Sequence, residues 1–331
     1  MEVDRALRAG QRGAPARDGP TAGRRSQANG SSRVGRSACH HGLMSEVPGP
    51  VAFVLGGGGR LGAAEVGMAA ALVDAGIRAD LIVGTSIGAI NGALLAASPG
   101  LDGVERLRVL WQGVAGRGLL SERMADRVRT LRRTRVSLHS TVQLEEVLIA
   151  AVGTETRIED LAIPFGCVAA CIETASATWF DRGPLVPALL ASSAVPGLFE
   201  AVVIEGRHYL DGGLVESIPV ARAIEQGART VFVLQVGRIE QPLSPPKNPA
   251  EVAQVAFEIA RRHRFATVME SLPPGVTVHV LPTGATAPVA MGLRSNLRYR
   301  DLSGIPERIE RAHAASRAYL SGLGPPATGP G

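Results

Sequence analysis

Twice in quick succession this chain runs a short apolar stretch into a cluster of glycines and then into an alanine-rich stretch of helical length. Val51–Leu55 leads through residues 56–62 into a segment that stops at Gly76, and Asp80–Val83 leads through Gly84–Gly88 into a second that ends near Ala97. A strand followed by a helix and then by another strand pairs in parallel, because the helix supplies the crossover that parallel neighbours require. Repetition of that unit restricts the fold to an α/β class, a mainly parallel central sheet sandwiched between two helical layers.

Further strands are expected at Phe165–Glu173, Thr178–Asp181, Ala201–Ile204, His208–Leu210, Thr230–Val236 and 276–281, with helices at 185–192, Ile218–Gln226 and 305–321. Ser217 is expected to cap the helix from Ile218, and Gly227 to follow its end. Gln241–Asn248 reads as a Pro-rich linker, with Asn248 capping a long helix whose first residue is Pro249. Residues 101–163 read as mostly helical, with a cap-like insertion near 101–160. No internal repeat is seen.

The net charge of +5 resides in the first 43 residues, where eight arginines (5, 8, 12, 17, 24, 25, 33 and 36) face only Glu2, Asp4 and Asp18. The remainder balances, and aromatics are only 4% of the chain, so no nucleic-acid partner is expected. Residues 1–47, rich in Arg and Gly without a hydrophobic period, read as a disordered arm, and Met44 is an alternative start of translation. The folded domain is expected over 48–322, with a flexible tail at 323–331. No apolar run follows Arg24-Arg25 as a secretory signal demands, and no stretch suits a transmembrane helix, so residence in the cytoplasm is expected. The basic run Arg127–Arg135 suits a solvated helix face, and also peripheral contact with an anionic membrane surface. Cys167 and Cys171, four apart in an apolar strand and without histidines at ligand spacing, read as packing residues. Neither a metal site nor a cofactor is expected.

Chemistry concentrates in three places. Gly84-Thr85-Ser86-Ile87-Gly88 is a G-x-S-x-G between a strand and a helix. Such a reversal presents the serine in a strained turn at the positive end of the helix, and glycines on both flanks avoid clashes. Gly56-Gly57-Gly58-Gly59-Arg60-Leu61-Gly62 leaves backbone amides free to meet an anion, and two readings compete: an oxyanion hole, or a dinucleotide loop on Gly57-x-Gly59-x-x-Gly62. The dinucleotide reading requires an acid at the far end of the next strand. Asp80 precedes that strand, and the far end carries Gly84-Thr85-Ser86, which suits a nucleophile. Tyr209-Leu210-Asp211-Gly212-Gly213 ends a strand on an aspartate. Alone it reads as a loop cap; beside an activated serine it reads as the base that a weak nucleophile needs.

The glycine loop, G-T-S-I-G and D-G-G, in that order, resemble the patatin-like phospholipases of bacteria. So does Ala191-Ser192-Ser193-Ala194-Val195-Pro196-Gly197-Leu198-Phe199, which is similar to the family's Ala-Ser-x-Ala-x-Pro-x-x-Phe block. The resemblance covers roughly 51–236. It implies a three-layer α/β/α fold and a Ser–Asp dyad without histidine, which hydrolyses a lipid ester through an acyl-enzyme. Ser86 would be nucleophile and Asp211 general base, with Gly57, Gly58 and Gly59 as oxyanion hole and Gly62, Gly84, Gly88, Gly212 and Gly213 supporting the turns. The family often carries a cation just before the last glycine of the loop; Leu61 holds that place here, and Arg60, one residue earlier, is the nearest cation. The alternatives are a Ser-His-Asp esterase using His263, His279 or His313, which follow the acid, and a non-catalytic lipid-binding module. His208, three residues before Asp211, and His139 read as surface or core residues, and His40 and His41 lie in the arm.

Overall fold

The computed structural model describes residues 47–117, 139–236, 242–285 and 304–323. The arm with Met44, the basic run Arg127–Arg135 and all but the first residue of the expected tail lie outside them.

The sheet is built from β1 (Val51–Leu55), β2 (Leu81–Thr85), β3 (Phe165–Cys171), β4 (Ser176–Phe180), β5 (Val202–Ile204), β6 (Arg207–Asp211), β7 (Thr230–Leu234) and β8 (Thr277–Val280). Its order is β5-β6-β3-β2-β1-β7-β8, with β4 pairing β3 off that path. The five strands from β3 to β8 are parallel, while β4, β5 and β6 are antiparallel additions. This is the mainly parallel α/β sheet expected from the strand–helix alternation.

Side chains of β1 alternate between two cores, as the two-residue period of a strand requires. Val51, Phe53 and Leu55 enter one cluster, with α1 (Ala63–Asp74), α2 (Ile87–Ala97), α3 (Leu101–Arg117), α4 (Val142–Val152), α5 (Leu185–Ser192) and α8 (Ile305–Ser321). Ala52 and Val54 enter the other, with Val220 and Ala223 of α6 (Val220–Glu225) and Phe265 of α7 (Pro249–Glu270). Helices therefore cover both faces, and strands buried on both sides read as unbroken apolar runs. The expected cap over 101–160 is not a separate feature among the described residues: Val104, Leu107, Trp111, Leu144 and Leu148 belong to the main core.

Local differences from the sequence reading have physical causes. β2 continues through Gly84 and Thr85, because Leu55 and Val168 pair with them on either side. Ser217 does not cap a helix: α6 starts two residues later behind Pro219, without a side-chain cap. Asn248 does cap α7, its side chain accepting from the Glu251 amide at 3.0 Å, with Pro249 in the first turn. His279 of β8 stacks on Phe232 of β7, and His313 of α8 pairs with Asp74 of α1 at 2.7 Å, so one packs within the sheet and the other joins two helices.

Close packing at glycines holds the turns. A Cβ at Gly84 would sit 2.5 Å from the Gly88 carbonyl oxygen, and one at Gly88 would press into the Leu55 backbone. Gly88→Ala is therefore expected to destabilise the chain by about 2–3 kcal/mol or more. Gly113→Ala, in α3 with open space where its Cβ would go, is expected to stabilise it by up to about 1 kcal/mol. Urea midpoints of the two variants against the parent measure both signs.

Candidate active site

Three strands bring the chemistry together. β4 occupies one edge of β3 along Cys167–Cys171. The other edge is shared: parallel β2 pairs with it from Phe165 to Val168, and antiparallel β6 from Ala169 to Cys171. The two strands thus run toward each other and meet at their C-terminal ends, where Thr85 lies opposite Val168 and Asp211 opposite Ala169. The residue after Thr85 is Ser86. Its hydroxyl donates to Asp211 Oδ2 at 2.5 Å, with both residues buried.

Ser86 has φ 56° and ψ −126°, a positive φ that a non-glycine residue adopts at a cost of about 1–3 kcal/mol. It stands at the N-cap of α2, where a serine hydroxyl ordinarily accepts a hydrogen bond from the helix amides. No such cap bond forms here, because the hydroxyl faces Asp211 instead. The first α2 amides, at the positive end of the helix dipole, therefore receive no hydrogen bond from the Ser86 side chain.

Asp211 is held on both oxygens, Oδ2 by Ser86 and Oδ1 by the Gly213 amide at 2.7 Å. Burial pushes its carboxyl up to about 6, against the downward pull of those two hydrogen bonds. A carboxylate tuned to that value accepts a proton near neutral pH better than an ordinary aspartate does. Gly212 is obligatory, since a Cβ there would strike the Val168 carbonyl. Among the five histidines in the described residues, none bonds to Ser86 or Asp211. His208 points to the opposite face of β6 from Asp211 and pairs with Glu173 at 2.6 Å.

The glycine loop departs from expectation in one place. The Gly57 amide is not free: it donates to the Ser217 carbonyl at 3.0 Å, just as Gly56 donates to Leu234. The loop needs these bonds to leave β1 alongside its neighbours. Gly58 and Gly59 have no such backbone acceptor among the described residues, and Gly59, at φ 54°, opens a one-turn 3-10 helix to Gly62. A Cβ on Gly57 would lie 3.5 Å from Ser86 Cβ, so the loop runs directly beside Ser86. The Arg60 carbonyl accepts from Arg308 at 3.1 Å, which ties this turn to α8.

The 191–199 segment has a role that its spelling did not reveal. Ser192 Oγ accepts the Ser86 amide at 3.0 Å, and the Ala194 carbonyl accepts the Asp211 amide at 2.9 Å. One short segment therefore anchors the backbones of both partners. Three other residues, Glu216, Leu214 and Phe257, escaped the sequence reading. Thr85 Oγ1 donates to the Glu216 carbonyl at 2.7 Å, and burial raises the Glu216 carboxyl to about 7 despite the nearby Arg264. Leu214 and Phe257, each 38% exposed, form an apolar rim beside the glycines that follow Asp211. Asp80 sits at the other end of the sheet, where it accepts from the Val51 amide at 2.8 Å.

A chain segment, residues 53–224, matches the family model of patatin-like phospholipase. Lysophospholipase NTE1 of Mycosarcoma maydis is 32% identical over 230 residues, 66% of this chain and 11% of that protein. A patatin-like phospholipase domain-containing protein of Caenorhabditis elegans is 33% identical over 193 residues, 58% of this chain and 14% of that one. An uncharacterized NTE family protein of Mycobacterium tuberculosis is 32% identical over 181 residues, 52% of this chain and 44% of its own. The chain thus spans less than half the length of each of these relatives. The family match, which covers more than half of the chain, makes it a member of the patatin-like phospholipase family.

Proposed function

We propose that this protein hydrolyses a carboxylic ester of a lipid, in the manner of a phospholipase A or lysophospholipase, with a Ser86–Asp211 dyad. The hydrogen bond from Ser86 Oγ to Asp211 Oδ2 carries this reading, because it joins a weak nucleophile to a base whose burial brings it into the working range. The likeness to a fungal lysophospholipase and the apolar rim of Leu214 and Phe257 support a lipid as the ester.

In this mechanism Ser86 Oγ attacks the ester carbonyl carbon while its proton passes to Asp211. The amides of Gly58 and Gly59 and the N-terminal end of α2 receive the charge on the carbonyl oxygen; a single such donor contributes about 2.7–4 kcal/mol. Collapse of the tetrahedral intermediate breaks the ester C–O bond, and Asp211 returns its proton to the departing alcohol. The acyl group is left on Ser86. A water then gives a proton to Asp211 and attacks the acyl carbon; the second collapse frees the fatty acid, and the proton goes back to Ser86. Arg60, the next residue along the loop, is the cation nearest to this oxyanion site in sequence.

Ser86→Ala and Asp211→Asn are each expected to lower hydrolysis of a lysophospholipid or a long-chain p-nitrophenyl ester by about a thousandfold or more. A fluorophosphonate probe is expected to label the parent chain at Ser86 and to leave Ser86→Ala unlabelled, as read by intact mass. Activity that survives in Ser86→Ala excludes the mechanism, and a folded parent that takes no label favours a lipid-binding module.

Replacing His139, His208, His263, His279 or His313 singly by Gln is expected to leave at least a third of the activity per folded molecule. One histidine change that abolishes turnover would instead indicate a Ser-His-Asp esterase.

Since Asp211 acts unprotonated, kcat/KM is expected to rise with pH through an apparent pKa near 6 and to fall away below it. Glu216→Gln, which removes another raised carboxyl close to the site, is expected to keep that limb. A profile flat from pH 5 to 8 rules out Asp211 as the base.

A further inference from the structure

Beneath the glycine loop lies a second polar cluster that the mechanism above does not use. Glu65 of α1 and Asn91 of α2 are both fully buried, and Trp111 of α3 is nearly so. Asn91 Nδ2 donates one hydrogen to the Gly62 carbonyl at 3.0 Å and the other to Glu65 Oε2 at 2.7 Å. Its Oδ1 accepts from Trp111 Nε1 at 3.1 Å.

The indole N–H only donates, so the oxygen of the Asn91 amide must face it and the NH2 must face Gly62 and Glu65. Three elements thus hold one side chain in one orientation, and that side chain grips the last carbonyl of the loop. Asn91 stands five residues beyond Ser86 on the nucleophile helix, so the grip runs from that helix to the loop. Packing closes the same joint: a Cβ on Gly62 would lie 2.6 Å from Ile87 Cγ1 and 3.2 Å from Trp111 Cζ2.

Glu65 Oε1 is buried with no hydrogen-bond partner among the described residues. Burial favours the neutral acid and holds this carboxyl well above the usual range, opposed by the Asn91 hydrogen bond, which favours the charged form. A buried polar group this isolated is costly and is retained only where the arrangement repays it. As an ordinary core position, residue 65 would be apolar.

We infer that Asn91 is a positioning residue that sets the height of the Gly58–Gly59 amides against Ser86, and that Glu65 and Trp111 hold Asn91 in the orientation this requires. The inference rests on the hydrolase reading of Ser86 and Asp211. Oxyanion donors act only within a few tenths of an ångström of the right place, and a misplacement of about 1 Å can cost a hundredfold in rate.

The test uses the full chain with Asn91→Ala, Glu65→Gln, Glu65→Ala and Trp111→Phe. Fluorophosphonate label at completion counts intact sites, so kcat is expressed per site and a loss of folded protein does not register as a loss of rate. Asn91→Ala is expected to lower kcat per site between about tenfold and a hundredfold with KM within twofold. Glu65→Ala is expected to follow it, and Glu65→Gln, which keeps a neutral acceptor for Asn91, to stay within twofold of the parent. Trp111→Phe frees the amide to rotate and is expected to cost about threefold in kcat alone. Should Asn91→Ala fail to fold, the Glu65 pair and Trp111→Phe decide the matter by themselves. Parental kcat per site in the variants, with only the melting temperature lowered, overturns the inference, as does equal loss in Glu65→Gln and Glu65→Ala. A parent that is neither labelled nor active overturns the hydrolase reading and this inference with it; a labelled, active parent with unaffected variants overturns the inference alone.

Discussion

The hydrogen bond between Ser86 and Asp211 exists because two strands of opposite direction share one edge of β3 and end face to face. A parallel strand presents its C-terminal end at the top of the sheet, and the antiparallel β6 arrives there from the other side. Neither β2 nor β6 can extend further, since each blocks the other. Both chains must turn away at that point, and the residues at the two turns meet. The cost appears in the positive φ of Ser86 and in the burial of the Asp211 carboxyl. Both are the kinds of strain that a folded structure sustains where the surroundings over-determine the geometry. The Ser192 hydroxyl and the Ala194 carbonyl do that here, each holding one of the two backbones.

Close approach is the second constraint. At Gly84, Gly88 and Gly212 a methyl group would meet backbone atoms, which cannot move aside as a flexible side chain can. The same limit operates at Gly67 of α1, where a Cβ would lie 2.7 Å from the His313 amide nitrogen of α8. That helix lies beyond the family match, which ends at residue 224, yet Ile305, Ile309, Ala312 and Leu320 complete the main core. Its Arg308 also reaches the Arg60 carbonyl of the glycine loop. The C-terminal helix therefore supports the loop from outside the part that carries the motifs.

Much of this was legible beforehand, and the misses share a cause. Short apolar runs between glycines located β1 and β7 within a residue or two, because strands buried on both faces need continuous apolar sequence. The Asn248-Pro249 start of α7 was readable because capping is local chemistry. Gly84 and Thr85 read as a turn and belong to β2, since glycine in a strand is tolerated when neighbours on both sides hold it in register. Ser217 read as a helix cap, but its carbonyl serves Gly57, a residue 160 positions away in the chain. Glu65 drew no attention as a charged residue in an alanine-rich helix. The signal was present all the same, since α1 is apolar on every side and leaves an acidic residue no route to water.

By itself, then, the order of residues determined the class of fold, the two strand-to-helix turns and the types of side chain able to do chemistry there. Those features depend on local sterics and on the period of apolar residues, which a linear text records. Only the tertiary structure decided which groups meet: that Asp211 reaches Ser86, that Ser192 and Ala194 hold them, that the Gly57 amide is occupied, and that Asn91 grips the loop. Each of these is a contact between segments far apart in sequence. Strand order and register create them, and no stretch of residues specifies either one alone.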